Sequence, residues 1–192
     1  MKNRIGKITL PLMLALTCLV RLCYAQEDSR KTEAYSAVAM GTGGAVGGRS
    51  ISFDFSITRY ATDQELMKYV ELLKVSGADA LRRALEKEDA GRIAPSGTVG
   101  NQIALARKRQ AGADTIITIV TARTMPFMEL YRSGRSTDYP FGYMQVKLDA
   151  KGQGSGNIMA AAKLRFDKKK GQYEIESFGN QYIKAANVRM FK

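Results

Sequence analysis

The chain has 192 residues, with 30 lysines and arginines against 18 aspartates and glutamates, two cysteines and no histidine. Without histidine it lacks both the usual proton-transfer group near neutral pH and the commonest zinc ligand, so Ser-His-Asp and Cys-His catalysis and His-based metal sites are excluded. What survives is carboxylate chemistry, lysine or tyrosine as a base, or binding without catalysis, and no cofactor is implied.

Residues 1–25, MKNRIGKITLPLMLALTCLVRLCYA, have the layout of a secretory signal. Lys2, Arg4 and Lys7 make a positive start. From Ile8 to Val20 the chain is apolar apart from two threonines and Pro11, too short for a membrane span of about 20 residues. Cys23 and Ala25 put small residues three and one positions before a cut preceding Gln26. Lipid attachment is disfavoured because Thr17 precedes Cys18 and Leu22 precedes Cys23. The expected location is therefore secreted or periplasmic, with no transmembrane span in the mature chain. Removing Lys2, Arg4, Lys7 and Arg21 with the leader leaves 26 basic and 18 acidic residues and no cysteine. The mature chain must be held by its core, and a chain of this size can bury about 70% of its unfolded surface as one domain.

Residues 26–33 are polar and unpatterned, which predicts a flexible start to the mature chain. AYSAVAM (34–40) reads as a first strand before the glycine-rich GTGGAVGG (41–48). In ISFDFSITRY, Ile51, Phe53, Phe55 and Ile57 alternate with polar residues, the period of a half-buried strand. Helix follows. Thr62 and Glu65 form a capping box, and Leu66, Tyr69, Val70 and Leu73 a stripe ending near Gly77. A second helix over ADALRRALEKED, with Leu81, Ala84 and Leu85 inward and Gly91 as its stop, would complete a helical hairpin over about 62–90. Arg82 and Arg83 give it a passing likeness to a helix-turn-helix, but the stripe is what packing on a sheet requires, and nucleic acid is not an expected partner.

After the turn-like RIAPSGTVG come strand patterns in QIALARKR, TIITIVTAR, FMELYR, GYMQVKLDA, NIMAAAKLRFD, YEIESF and YIKAANVRMF, separated by short glycine-bearing turns. Ile116, Ile117, Ile119 and Val120 occupy both faces of one strand, as in a strand covered on both sides. Ile158, Ala160, Ala162, Leu164 and Phe166 define one face of another. The expected fold is α+β: an antiparallel sandwich or barrel of about eight or nine strands over 34–192, with the helical hairpin inserted after the second strand.

Between the strand candidates 127–132 and 141–149 lies YRSGRSTDYPFGY (131–143). One reading makes it a connection, with Asp138 capping a turn or pairing with Arg135, and Tyr139 and Phe141 covering the end of a barrel. The other makes it a recognition loop. Arg132 and Arg135 would present planar donors to a carboxylate, phosphate or sulfate, and Tyr131, Tyr139 and Tyr143 would offer ring faces. The segments RSGRSTDYPF, TARTMPFMEL, RYATDQELMKYVELL, GRIAPSG and GNQYIKAANVRMF resemble a family of exported bacterial proteins of unknown function with an Arg-Ser-x-Asp-Tyr-Pro-Phe segment. The resemblance covers most of residues 50–190. It implies one exported unit whose loop is no accident of composition, and it carries no activity.

GTGGAVGGRS lacks the Lys-Ser/Thr ending and following helix of a phosphate loop, so a hairpin loop is the better reading. A glycosidase-like pair of carboxylates has Glu129 and Asp138 as its candidates, because Glu174 and Glu176 alternate with Tyr173 and Ile175 as an ordinary solvent face. RKR (107–109) and KKK (168–170) are short and solvated, yet they favour anionic surroundings. The expectation is a non-enzymatic exported protein whose loop contacts an anionic small molecule, a glycan, an envelope polymer, a lipid head group or a protein. The alternatives are a hydrolase using Glu129 and Asp138 and a structural envelope component.

Overall fold

The computed structural model describes residues 32–42, 48–126, 138–180 and 183–191. Among them the chain runs through β1 (Glu33–Gly41), β2 (Ser50–Ile57), helix α1 (Asp63–Leu85), β3 (Gly91–Pro95), β4 (Asn101–Ile103), β5 (Leu105–Ala111), β6 (Asp114–Thr121), β7 (Phe141–Leu148), β8 (Gln153–Asp167), β9 (Gln172–Ser177) and β10 (Ile183–Met190). The strands pair antiparallel in the order β4-β3-β2-β1-β10-β8-β7-β6-β5, with β9 attached to β8. The first and last of these are successive pieces of one run. Only Ala104 separates them, and its N–H donates to the Val120 carbonyl at 3.0 Å. Because β4 pairs with β3 and β5 with β6, the run bridges the two edges and the sheet nearly closes into a barrel.

The described residues form ten strands, where about eight or nine were expected. Gly91–Pro95, read as turn because of its glycine and proline, pairs with β2, and Pro95 stands at its last position, where a proline is tolerated. Gly91 is not the stop of a helix. It opens β3 at φ 137°, and a Cβ there would meet the Ser56 carbonyl oxygen at 1.9 Å. The expected strand over 127–132 lies outside the described residues.

The period-two pattern of β2 does what it predicted. Phe53, Phe55 and Ile57 point into the barrel with Tyr35, Ala37 and Ala39 of β1, and Tyr35 stacks on Phe55 with ring centroids 4.6 Å apart. Ile93, Ile103, Ile117, Ile119, Met144, Val146, Ile158 and Ile183 complete a core in which each of these side chains is fully buried. The barrel is thus filled by its own side chains, as narrow barrels are.

The helical hairpin is not formed. One helical element spans Asp63–Leu85 and bends at Gly77, whose φ of 81° and ψ of −177° interrupt the helical backbone. The bend leaves Tyr69, Leu73, Leu81 and Leu85 on one side, four or eight residues apart, so both parts serve a single apolar stripe rather than folding on each other. That stripe packs outside the barrel on Leu105, Val120, Phe141 and Ala162. β6 is therefore covered on both faces over residues 119–121, whereas Ile116 and Thr118 nearer its start are half-buried. The capping box is present, with Glu65 N–H donating to Thr62 Oγ1 at 3.2 Å and Thr62 N–H to Glu65 Oε2 at 2.8 Å. Arg59 fastens both ends of the helix by pairing with Glu65 at 3.0 Å and with Glu88, which also accepts from Tyr69 Oη at 2.6 Å.

β8 does not keep one face. A register shift lies between the pairs of Phe141 and Tyr143 with Ala162 and Met159, and Ala160, Ala161 and Ala162 are buried in succession. A bulge reverses the alternation, so Ile158 and Ala160 belong to the barrel core, whereas Ala162 and Leu164 belong to the helix contact. Beyond the bulge β8 pairs with β9. There the expected solvent face holds at Glu176, which is exposed, but not at Glu174. Tyr173 and Ile175 are exposed, while Glu174 is mostly covered and is gripped by Arg165 at 2.7 Å and Lys170 at 2.8 Å.

Candidate functional site

The two ends of the barrel differ. At one, the chain leaving β6 crosses over the core: Met125 is buried, its N–H donates to the Ala160 carbonyl at 2.7 Å, and Asn101 Nδ2 holds the Thr124 carbonyl at 2.6 Å. Thr121 locks the crossing, accepting from Gly142 N–H at 3.1 Å and donating to the Arg123 carbonyl. This end is closed.

The connection that continues from here is the expected recognition loop. Glu129, Tyr131, Arg132 and Arg135 lie outside the described residues. Asp138 is exposed at a turn. Tyr139 donates to Glu176 Oε1, meets Phe178 edge-on at 5.4 Å and lies under the Lys163 ammonium at 5.9 Å. The hydrogen bond to Glu176 holds its phenol above the usual value. Tyr143 stands on the outer face of β7, half-buried against the helix contact, where burial pushes its phenol up. Tyr139 packs on the β9 side, and Tyr143 packs against the helix contact.

Among the described residues, the opposite end is open. Inward-facing Glu33 of β1 and Lys108 of β5 come from strands that are not neighbours in the sheet, and they meet across the mouth at 2.7 Å. Tyr35 Oη and Tyr60 Oη both donate to Glu33 Oε2, at 2.6 and 2.5 Å. Tyr60 reaches this place because the connection from β2 to α1 runs beside β5, with Ala61 N–H bonded to the Ala106 carbonyl at 2.8 Å. Burial alone pushes the Glu33 carboxyl up, but Lys108 and the two phenols outweigh it and keep it below the usual carboxylate value. Burial, then the bond to Glu33, pushes both phenols upward. The carboxylate is thus kept as an acceptor and the phenols as donors, each moved away from the near-neutral range in which a general base or acid works best. Beside this cluster lies a cleft of about 410 Å³ bounded by the β5–β6 and β7–β8 turns. None of this was visible in the sequence, because the four residues are scattered over positions 33 to 108; the one trace was Lys108, a charge on the inward parity of its strand.

A smaller cleft of about 230 Å³ lies beside the end of the helix. Three of its polar groups are engaged within the fold: Glu86 by Arg82, Glu88 by Arg59 and Tyr69, and Gln102 by the Glu88 carbonyl.

The outer surface carries a third feature. Where the helix stops covering the sheet, cross-strand register lines up Arg107, Thr118, Gln145, Asn157, Lys184 and Met40 on β5, β6, β7, β8, β10 and β1. The next row holds Arg109, Ile116, Lys147 and Ser155, and Arg189 lies opposite Gln153 and Ser36. Arg109, Lys184 and Arg189 are exposed and have no hydrogen-bond or ion-pair partner among the described residues. At about 4.8 Å per strand, Arg109 on β5 and Arg189 on β10 are separated by roughly 19 Å measured along the curved sheet. By contrast, the lysine run at 168–170 sits among Asp167 and Glu174, and both pair with Lys170.

No helix among the described residues is long and apolar enough to cross a membrane. No family model matches the chain, and no curated protein or solved structure does either.

Proposed function

We propose that this is an exported, non-enzymatic binding protein that associates with an anionic envelope polymer through the outer face of β5, β6, β7, β8 and β10. The observation that carries this reading is the exposure of Arg109, Lys184 and Arg189 on one sheet face, interleaved with the exposed amides and hydroxyl of Gln145, Asn157 and Ser155. Cations spread along the curved outer wall of the barrel attract a polyanion at long range, and amides between them supply hydrogen bonds to its polar groups. The leader-like residues 1–25 support export. Arg132 and Arg135 would add to the same charge balance.

Retention of the mature protein on immobilised polygalacturonate, eluted by a salt gradient, tests this. Retention should fall steeply with salt. The triple change Arg109→Gln, Lys184→Gln, Arg189→Gln should elute at clearly lower salt than Lys168→Gln, Lys169→Gln, Lys170→Gln, although both remove three charges. Equal shifts would mean that only net charge matters, and would sink the assigned face.

A further inference from the structure

The open end of the barrel is a separate site with its own chemistry. We infer that its cleft binds a small organic monoanion with an apolar body, the anionic head held by Lys108 and Lys151 and the body laid over Leu148 and Met190. Mouths of β-barrels are a preferred place for small-molecule sites, and about 410 Å³ falls within the roughly 300–1,000 Å³ such sites occupy. The barrel core below is filled, so a ligand here rests on a floor and does not enter the barrel.

The charges of the lining favour a single negative charge. Lys108 and Lys151 are its cations. Among the described lining residues Asp149 is the one anion, and its Oδ1 is occupied by the N–H groups of Lys151 and Gln153 at 2.8 and 3.0 Å. Lys108 gives one donor to Glu33 at 2.7 Å, and an ammonium has three, so it stays anchored while it keeps donors for a ligand. Its side chain is 34% exposed. Lys151, in the turn between β7 and β8, has an exposed side chain with no partner among the described residues. Gln110 and Thr115 bond each other on the wall at 3.1 Å and can turn toward a polar head at little cost. Met190 is 38% exposed at the rim, an adaptable apolar contact left facing the opening. Glu33 already answers the charge of Lys108, so a neutral ligand would leave the Lys151 ammonium unanswered, while a dianion would meet the nearby carboxylates of Glu33 and Asp149 with too little positive charge to balance it.

The probe is octanoate, titrated into the isotope-labelled mature protein and followed by amide chemical shifts. Octanol, with the same chain and no charge, is the matched control. Octanoate should move the amides of Gln110, Thr115 and Lys151 together and bind about tenfold more tightly than octanol, the usual scale of one charge-assisted contact. Lys151→Gln, an exposed turn change that leaves the core untouched, should weaken octanoate about tenfold, whereas Lys147→Gln on the outer face should change it less than twofold. Retention of Lys151→Gln on polygalacturonate should match the unaltered protein, so failure here and failure of the outer-face reading are distinguishable. Octanol and octanoate binding alike, shifts confined to the outer face, or no response to Lys151→Gln would each overturn the assignment.

Discussion

Glu33 receives two phenol hydrogen bonds and an ammonium from three separate parts of the chain, so its charge joins β1, the β2–α1 connection and β5 at the barrel mouth. Its carboxyl is held below the ordinary value. A group lowered in the folded state contributes stability that is complete above its unfolded titration and is lost as the pH falls through the folded one. Glu33→Gln should therefore cost about 2 kcal/mol near neutral pH, because the amide still accepts from a phenol but leaves the Lys108 ammonium without its counter-charge. The same change should flatten the acid limb of melting temperature against pH, below the ordinary carboxylate range. Identical acid limbs in the two proteins would show that the cluster is not a linked unit.

At the scale of elements, Gly77 decides the course of the helix. Judged by helix propensity alone, Gly77→Ala should stabilise by up to about 1 kcal/mol. At φ 81° an alanine is strained by about 1–2 kcal/mol, and the open space around the site offers no compensating contact. Denaturant unfolding should find the variant less stable; a gain would mean that the two segments can straighten without loss. The capping box, the stripe and Gly77 were all legible, since each is a local signal. Whether a glycine ends a helix or bends it was not, because the choice depends on what lies beneath Leu81 and Leu85. For the same reason β2 was legible from its alternation, while the face reversal in β8 was not: three successive alanines fit either side of a bulge. β3 was hidden because its pairing with β2 overrides turn-forming residues at both of its ends.

For the whole molecule, the decisive feature is the run from Asn101 to Ala111, which belongs to both edges of the sheet and turns a row of strands into a barrel. Closure is a long-range property, so the sequence left barrel and sandwich open, and with them the mouth where Glu33 meets Lys108. Of the residues expected at the site, Tyr139 and Tyr143 are placed by packing against β9 and α1, and those contacts come from segments too distant in sequence to be read from the loop itself. Ala104 tests closure directly. Its side chain is buried, and its N–H makes the bond to Val120 that keeps β5 in line after β4 ends. Ala104→Gly keeps the N–H and should cost about 1 kcal/mol through backbone entropy. Ala104→Pro removes it and should cost about 3 kcal/mol or more. Closure also predicts where the damage appears. In the proline variant, amide exchange should rise together in β3 and β6, the two strands joined only through this run, while the β7–β8 pairing keeps its protection. Faster exchange confined to β6 alone would mean that the two edges are not coupled and the barrel is open at this seam.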